Sequence, residues 1–275
     1  MKTQTPELTR LRHIVLDLDG TIYKGGHLFD CTIPFLDLLA SLHIGHTFLT
    51  NNTSLAKADY VRKLSDFGIP ADESRIYTPA DSAIAYVRER HPEVARLGVL
   101  GTPSLCRQIS EAGFHVGWDG PEAVIVGFDT TLDYFRLCRA AYFIGLGLPF
   151  IATHPDLVCP TDEPTVLVDC GAICACLTAA TGRRPVVLGK PDPAILRSLC
   201  DRLKIAPAHV AMIGDRLYTD MAMAHAADAL SVLVLTGETT LEQARSAPQP
   251  PDLIVTDLGA FGALLSGARG AEFGR

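Results

Sequence analysis

Residues 13–21 read HIVLDLDGT, and this stretch decides the fold. Its apolar run predicts a buried strand that carries Asp17 and Asp19 out together at its carboxyl end. Gly20 permits the tight turn that must follow, and Thr21 offers a hydroxyl beside it. Two adjacent carboxylates repel each other unless a cation lies between them or one holds a proton. The stretch therefore predicts a metal-assisted site with one carboxylate as nucleophile and the other as acid/base. Taken alone, it could also be an ordinary Asp-Gly turn facing solvent.

The composition excludes several classes of protein. The 275 residues are 48% hydrophobic and 7% aromatic, which suits an α/β protein with an aliphatic core. The net charge is −7 and no basic run occurs, so nucleic acid is not expected as a ligand. No stretch approaches the roughly 20 consecutive apolar residues of a membrane helix, and the first residues lack the apolar core of a secretion signal. We therefore expect a cytoplasmic protein with no membrane contact.

The cysteines are scattered mostly through apolar runs, without a Cys-x-x-Cys pair. On a helix, Cys170 and Cys174 would share a face while Cys176 pointed away, which is unsuited to a three-sulfur metal site. We therefore expect small buried hydrophobic residues in a reducing compartment. The eight are Cys31, Cys106, Cys138, Cys159, Cys170, Cys174, Cys176 and Cys200.

Short apolar runs alternate with helical patterns along the chain, which predicts parallel sheets with helices on both faces. Ligands of an open parallel sheet bind outside the carboxyl ends of its strands. Singly, the polar residues at those ends could be a helix cap, a solvated lysine or a turn. Together they supply a nucleophile, an acid/base, a phosphate clamp, a cation and a metal-holding acid. After the first strand, these residues are Thr50, Asn51, Asn52, Lys190, Asp215 and Asp220.

Four motifs together resemble those of the haloacid dehalogenase (HAD) superfamily. They are DLDGT at 17–21, TNN at 50–52, GKP at 189–191 and GDRLYTD at 214–220. Within the superfamily, DGTIYKG at 19–25 and FIATHPD at 150–156 are similar to the branch of NagD, 4-nitrophenyl phosphatases and phosphoglycolate phosphatases. The resemblance implies a doubly wound parallel-sheet, Rossmann-like core of residues 1–80 and 183–275, with an inserted α/β cap domain of residues 81–182.

The resemblance also implies a Mg²⁺-dependent phosphatase that hydrolyses small phosphomonoesters through an aspartyl phosphate on Asp17. Asp19 would be the acid/base, and its main-chain carbonyl would join Asp17 and Asp215 as a metal ligand. Asp220 would orient the loop or the metal's waters. The residues expected to bind the phosphate are Thr50, Asn51, Asn52 and Lys190.

The sequence departs from this branch at two places, His154 in place of the usual Asn and Asp169-Cys170 in place of a Pro-Gly or similar pair. The corresponding segment faces substrate in such enzymes. We therefore expect His154 and the loop from it to about Asp169, with Asp162 and Glu163, to contact the leaving group. Because acidic residues there disfavour strongly anionic leaving groups, neutral or lightly charged phosphomonoesters are expected.

Alternatives stay open at this point. A phosphotransferase or mutase would pass the phosphoryl group to an alcohol instead of water. A binding or regulatory module would keep the fold without turnover, although the complete set of acid/base and metal residues argues against it. The inserted domain could stabilise the fold or an oligomer rather than select substrate, and a homodimer is compatible with the sequence.

Overall fold

The chain forms two structural units in the computed structural model, which describes residues 8–160 and 165–273. The first unit comprises Met1–Leu49 and Lys190–Arg275, and the second comprises Thr50–Gly189. Each contains a parallel sheet. The predicted α/β class is therefore confirmed.

Strands and helices alternate along most of the chain. The strands are β1 His13–Leu16, β2 Tyr23–Lys24, β3 His27–Leu28, β4 Gly45–Leu49, β5 Ile76–Tyr77, β6 Arg96–Leu100, β7 His115–Val116, β8 Ala123–Val126, β9 Phe150–Ala152, β10 Val158–Pro160, β11 Val166–Val168, β12 Val186–Val187, β13 Val210–Gly214, β14 Leu230–Val234 and β15 Leu253–Val255. The helices are α1 Thr32–Ser41, α2 Lys57–Asp66, α3 Pro79–Arg90, α4 Pro103–Glu111, α5 Tyr134–Gly145, α6 Cys170–Thr181, α7 Ala194–Leu203, α8 Ala222–Ala226, α9 Leu241–Ser246 and α10 Leu258–Phe273. Within the described ranges, none of these helices combines the length and apolar character needed to cross a membrane.

Five parallel strands of the first unit form a sheet in the order β15-β14-β13-β1-β4. The central strand β1 is buried along its whole length, which explains its uninterrupted apolar run. Leu16 lies opposite Ile213 of β13 and Phe48 of β4. Because β1 and β13 end at the same level, Asp17 and the residues after Gly214 leave the sheet at one edge.

A single π-helical turn, Leu217–Met221, follows β13 and leads into α8. The Met221 N–H donates to the carbonyl of Arg216, five residues earlier, at 3.2 Å. The sequence predicts an ordinary helix over 219–226, so the π turn is a difference at the start of that element. It buries Asp220 completely. Such turns are rare and often occur at functional sites.

The second unit has a five-stranded parallel sheet in the order β12-β9-β8-β6-β7 with a hydrophobic cluster on each face. Ala123 and Ile125 of β8 join the cluster formed with α3 and α4, whereas Val124 and Val126 join the one formed with α5 and α6. This alternation follows from the two-residue period of a strand. β10 and β11 form a separate antiparallel pair.

Residues 50–80 fall in the second unit. Polar contacts join parts of this segment to later residues of the same unit. Ser104 Oγ and Arg107 Nη2 donate to the Asp59 carboxylate at 2.8 and 3.0 Å. The Phe128 N–H donates to Thr53 Oγ1 at 3.0 Å. The limits of the core and inserted domains, 1–80 with 183–275 and 81–182, stay a prediction from the sequence.

Within the described residues, the eight cysteines form no disulfide. Cys170, Cys174 and Cys200 are buried, as expected for small hydrophobic residues, whereas Cys138 and Cys176 are exposed. Cys170 and Cys174 pack in the cluster between α6 and the sheet.

Truncation in the central strand should destabilise the first unit. Leu16 is completely buried, so Leu16→Ala should lower the free energy of unfolding by about 2–5 kcal/mol, through lost apolar contact and the cavity left behind. Urea denaturation followed by circular dichroism measures this loss. Leu264→Ala is the matched control, because Leu264 is 47% exposed. A loss at Leu16 no larger than that at Leu264 would contradict the assigned core.

Candidate active site

Asp17 stands at the exit of β1 and is held there by the sheet. Its N–H donates to the carbonyl of Ile213 at 2.9 Å, which continues the β1–β13 pairing by one residue. Its side chain is buried. Asp19, two residues on, is exposed, on a turn closed by the Gly20 N–H donating to the Tyr23 carbonyl at 2.7 Å. The two aspartates of the motif therefore have opposite environments.

Lys190 forms a buried ion pair with two aspartates. Its Nζ donates to Asp17 Oδ1 and, at 2.7 Å, to Asp220 Oδ1. The Lys190 side chain is only 3% exposed. A buried charge is tolerated when it is paired and hydrogen-bonded. Lys190 is thus not a solvated loop lysine.

Asp215 lies directly after β13, and one of its two carboxylate oxygens is hydrogen-bonded to the backbone. Its Oδ2 accepts a hydrogen bond from the Glu238 N–H at 2.6 Å. Its Oδ1 is buried without a hydrogen-bond partner among the described residues. A Cβ at Gly20 or Gly237 would lie 2.6 or 1.9 Å from Asp215 Oδ2, so both positions require glycine. Gly20 also has φ +84°, in the left-handed region.

Asp220 uses both carboxylate oxygens within the protein. Oδ1 pairs with Lys190, and Oδ2 accepts from the Arg216 N–H at 3.2 Å. A Cβ at Gly214 would lie 2.3 Å from Asp220 Cγ, which explains the glycine at the end of β13. This arrangement suits the predicted orienting role of Asp220 better than direct metal ligation.

Ionising all three carboxylates would place more negative charge in the cluster than Lys190 compensates. Burial raises the pKa of Asp17 to about 8, and the charges of Asp220 and Asp215 add to this, while Lys190 opposes it. Burial and Asp220 also raise the pKa of Asp215 to about 6. Burial disfavours the charged ammonium, but Asp17 and Asp220 outweigh it and raise the pKa of Lys190. A further cation would stabilise the ionised carboxylates.

The donor set fits a divalent cation with oxygen ligands. Carboxylate oxygens of Asp17, Asp215 and Asp220 lie within 4.8 Å of one another. Asp215 Oδ1 and the nearby hydroxyls of Thr21 and Thr219 are buried without hydrogen-bond partners in the described part of the chain. Buried polar atoms of this kind call for an ion, water or ligand. All-oxygen donors suit Mg²⁺ better than softer metals.

The predicted phosphate-binding residues Thr50, Asn51 and Asn52 begin the second unit, directly after β4. The Thr50 N–H donates to the Tyr77 carbonyl at 3.3 Å, and Thr50 Oγ1 accepts from the Asn52 N–H at 3.1 Å. Asn52 Oδ1 accepts from the Ser54 N–H at 2.8 Å, so its side chain shapes the turn before α2. Asn51 Nδ2 donates to the Asp156 carboxylate at 3.3 Å.

His154, predicted to contact substrate, lies in the interior of the second unit with 0% exposure. Its Nδ1 is 2.9 Å from Thr153 Oγ1, and its Nε2 is 2.9 Å from Asp169 Oδ1. The two positions at which the sequence departs from the resembled branch are therefore hydrogen-bonded to each other. Burial disfavours the charged ring, but the Cys170 sulfur and the Asp169 and Asp156 carboxylates raise the pKa of His154 to about 9.

The loop from His154 to about Asp169 continues into β10, which contains Cys159. Four apolar side chains of the β10–β11 pair are exposed. Asp162 and Glu163 lie outside the described residues. The exposed apolar side chains are Val158, Val166, Leu167 and Val168.

Sequence reasoning missed the residues after β14 that complete the site. Glu238 donates its N–H to Asp215, and Thr236 Oγ1 donates to the Gly20 carbonyl. The Arg216 guanidinium pairs with the Glu238 carboxylate at 3.0 Å. The one available signal is a glycine, Gly237, just after a strand end, which is weak on its own.

Comparisons with known proteins agree with this geometry. Residues 14–115 match the model of the haloacid dehalogenase-like hydrolase family, and residues 187–261 match a model described as HAD-hydrolase-like. An acid sugar phosphatase of Staphylococcus epidermidis is 32% identical over 245 residues, which cover 89% of this chain and 94% of that protein. The crystal structure of a 4-nitrophenylphosphatase from Thermotoga maritima aligns with a TM-score of 0.89 at 36% identity, over 93% of this chain and 98% of that one.

A further solved structure contains a metal ion. The glycerol phosphate phosphatase of Mycobacterium tuberculosis in complex with magnesium aligns with a TM-score of 0.86 at 29% identity, over 94% of this chain and 80% of that one.

The buried His154 should make stability depend on pH. Its pKa of about 9 lies above the reference value of 6.5. Protonation therefore stabilises the fold fully below pH 6.5, and this contribution is lost as the pH rises through 9. Replacing the ring by the neutral amide of His154→Gln should abolish this term, on the order of 3 kcal/mol. Urea unfolding of both proteins at pH 6 and pH 9.5 measures it. Parallel pH dependences for wild type and variant would contradict the protonated ring.

Proposed function

We propose that this chain, which belongs to the haloacid dehalogenase-like hydrolase family and is a phosphatase of it, hydrolyses small phosphomonoesters with Mg²⁺ through an aspartyl phosphate on Asp17. The observation that carries the proposal is the buried cluster of Asp17, Lys190, Asp215 and Asp220 at the ends of β1 and β13. A cluster with excess negative charge and unpartnered buried oxygens suits a cation and an anionic substrate together.

Asp17 is the nucleophile and Asp19 the acid/base. A carboxylate oxygen of Asp17 bonds to phosphorus while the bond to the leaving oxygen breaks, and Asp19 gives that oxygen a proton. Water then attacks the aspartyl phosphate, Asp19 takes the water's proton, and inorganic phosphate leaves as Asp17 is restored. The exposure of Asp19 supports this role, because it must meet both the leaving group and water.

Mg²⁺ would be held by Asp17, Asp215 and the main-chain carbonyl of Asp19. When bound, it neutralises the charge between nucleophile and phosphate, a repulsion of about 4 kcal/mol at ~4 Å and an effective dielectric of 20. The unpartnered Oδ1 of Asp215 supports the ligand set. Asp220 positions Lys190 and the backbone at Arg216, to which it is hydrogen-bonded.

The transferred phosphate is bound by residues at two other strand exits. Lys190 supplies a point charge to its oxygens, while the Thr50 hydroxyl and the segment through Asn51 and Asn52 supply hydrogen bonds. This assignment is supported by the TNN motif at 50–52 and by the position of Thr50 directly after β4, which pairs with β1.

Substrate choice belongs to the inserted domain, residues 81–182. We propose sugar phosphates and similar polyol phosphates as the natural class. The names of the staphylococcal and mycobacterial relatives support this choice. So does the expectation of neutral or lightly charged phosphomonoesters, which rests on the acidic residues of the loop from His154 to about Asp169. We further propose a reducing, cytoplasmic location, which the cysteines scattered through apolar runs without a Cys-x-x-Cys pair support.

Metal removal tests the proposed chemistry. Protein treated with EDTA and dialysed should release no phosphate from 4-nitrophenyl phosphate, and added Mg²⁺ should restore release, because the carboxylates then become compatible with the anionic substrate. Phosphate is measured in buffer free of alcohols, so its release also separates hydrolysis from transfer to an alcohol. Full activity after exhaustive chelation would exclude the metal assignment.

Substituting Asp17 and substituting Asp19 should have different effects on turnover. Asp17→Asn should abolish both turnover and the acid-trapped phosphoenzyme, because no nucleophile remains. Asp19→Asn should lower kcat by roughly 10²–10⁴-fold for alkyl phosphates and by less for 4-nitrophenyl phosphate, whose leaving group needs little protonation. Asp37→Asn, an exposed change on α1, is the control and should behave as wild type. Substantial turnover by Asp17→Asn would exclude the aspartyl phosphate.

A further inference from the structure

Three segments of the second unit converge on Asn51. The amide Nδ2 of Asn51 lies 3.3 and 3.4 Å from the two carboxylate oxygens of Asp156. On the other side, a Cβ at Gly189 would be 3.0 Å from Asn51 Oδ1, 2.7 Å from the Thr153 carbonyl and 3.0 Å from His154 Cβ. Gly189 has φ +78°, in the left-handed region. The Asn51 side chain thus lies between the Asp156 carboxylate and a position where only glycine fits.

Asp156 is itself held by the start of α6. Its carbonyl accepts from the Gly171 N–H at 2.8 Å, and a Cβ at Gly171 would lie 2.1 Å from the Pro155 carbonyl oxygen. The chain at 155–156 therefore lies directly against the first turn of this helix. Asp169, the residue before α6, caps it by accepting from the Cys170 N–H at 2.6 Å.

His154 is hydrogen-bonded to one of the two carboxylates and lies near the other. Its Nε2 is hydrogen-bonded to Asp169, and the ligand atoms of His154, Asp156 and Asp169 all lie within 4.8 Å of one another. Both ring nitrogens have partners, since Nδ1 meets Thr153 Oγ1. Burial disfavours the charged ring, but Cys170, Asp169 and Asp156 raise its pKa. Asp156 itself is only partly buried.

We infer that Asp156, held by the contact of residues 155–156 with the first turn of α6, is the positioning residue for Asn51 and through it for the segment 50–52. This inference rests on the proposed function, in which that segment binds the transferred phosphate. With both oxygens of Asp156 facing Nδ2, the side-chain amide has one preferred orientation. Without this acceptor, Asn51 can adopt other rotamers and the phosphate-binding segment is no longer pre-ordered. Misplacement of a binding group by about 1 Å can lower activity by 10²-fold.

The role is tested by a double-mutant cycle between Asp156 and Asn51. The measured quantities are kcat and KM for 4-nitrophenyl phosphate and the inhibition constant of inorganic phosphate. Asp156→Ala and Asn51→Ala should each raise KM and the phosphate inhibition constant by about tenfold, with a smaller change in kcat. In the Asn51→Ala background, Asp156→Ala should add less than twofold, because its effect acts through Asn51.

Conservative changes separate positioning from general stability. Asp156→Asn keeps an oxygen that accepts from Asn51 and should recover most of the affinity for phosphate. His154→Gln should give an intermediate phosphate inhibition constant. Asp133→Ala is the matched control, since Asp133 caps α5 by accepting from the Arg136 N–H at 2.8 Å, as Asp169 caps α6. It should lower the thermal midpoint without changing the phosphate inhibition constant.

The outcomes are distinct. Independent, multiplying effects of Asp156→Ala and Asn51→Ala, or an Asp156→Ala variant that binds phosphate as wild type does, would overturn the positioning role while leaving the proposed function intact. An Asn51→Ala variant with unchanged phosphate affinity would overturn both the role and the assignment of this segment. Should Asp156→Ala fail to fold, Asp156→Ser replaces it, since serine keeps a polar group but is too short to reach Asn51.

Discussion

The buried ion pair of Lys190 with Asp17 and Asp220 is the constraint from which the architecture of the first unit follows. An ammonium in the interior is stable only with carboxylates in hydrogen-bond contact, and these must arrive from different strand exits. Parallel pairing of β1 and β13 brings the ends of the two strands to one level. The carboxylates then occupy the space in which side chains at Gly20, Gly214 and Gly237 would lie. Glycine at these positions is therefore a consequence of charge placement as much as of turn geometry.

The two clusters of acidic and basic groups show why only one is suited to a cation. Around His154, the ring lies near Asp156 and Asp169, and both ring nitrogens are hydrogen-bonded. The hydrogen bonding of the ring is therefore satisfied within the protein. Around Lys190, three carboxylates lie near a single ammonium, and Asp215 Oδ1 has no partner in the described part of the chain. Geometry places three potential ligands together in each cluster, but the second has a buried acceptor oxygen that no described residue satisfies.

The sequence predicted the parts of the fold and site that depend on local pattern. Apolar runs predicted β1 and β13, and the motifs at their ends contain Asp17 and Asp220, which pair with Lys190, and Asp215, whose carboxylate lies near theirs. What the sequence did not indicate depends on distant contacts. The π turn packs Asp220 against Gly214, and α10 continues to Phe273 although Gly267–Arg275 has the small polar composition of a frayed tail. The hydrogen bonds to Asp59 and Thr53 come from residues far along the chain in the second unit.

His154 illustrates the limit of reading a side chain from its neighbours in sequence. A histidine between a strand end and a polar loop suggests an exposed contact for substrate, since loops carry function. In the structure it is completely buried, its Nε2 is hydrogen-bonded to Asp169, fifteen residues away, and Cys170 and Asp169 raise its pKa. Without its partner, each of these two buried polar side chains would lose a hydrogen bond. A pair of this kind is visible only when both side chains are seen in place. Its physical consequence is that two polar side chains can be buried together in the interior of the second unit.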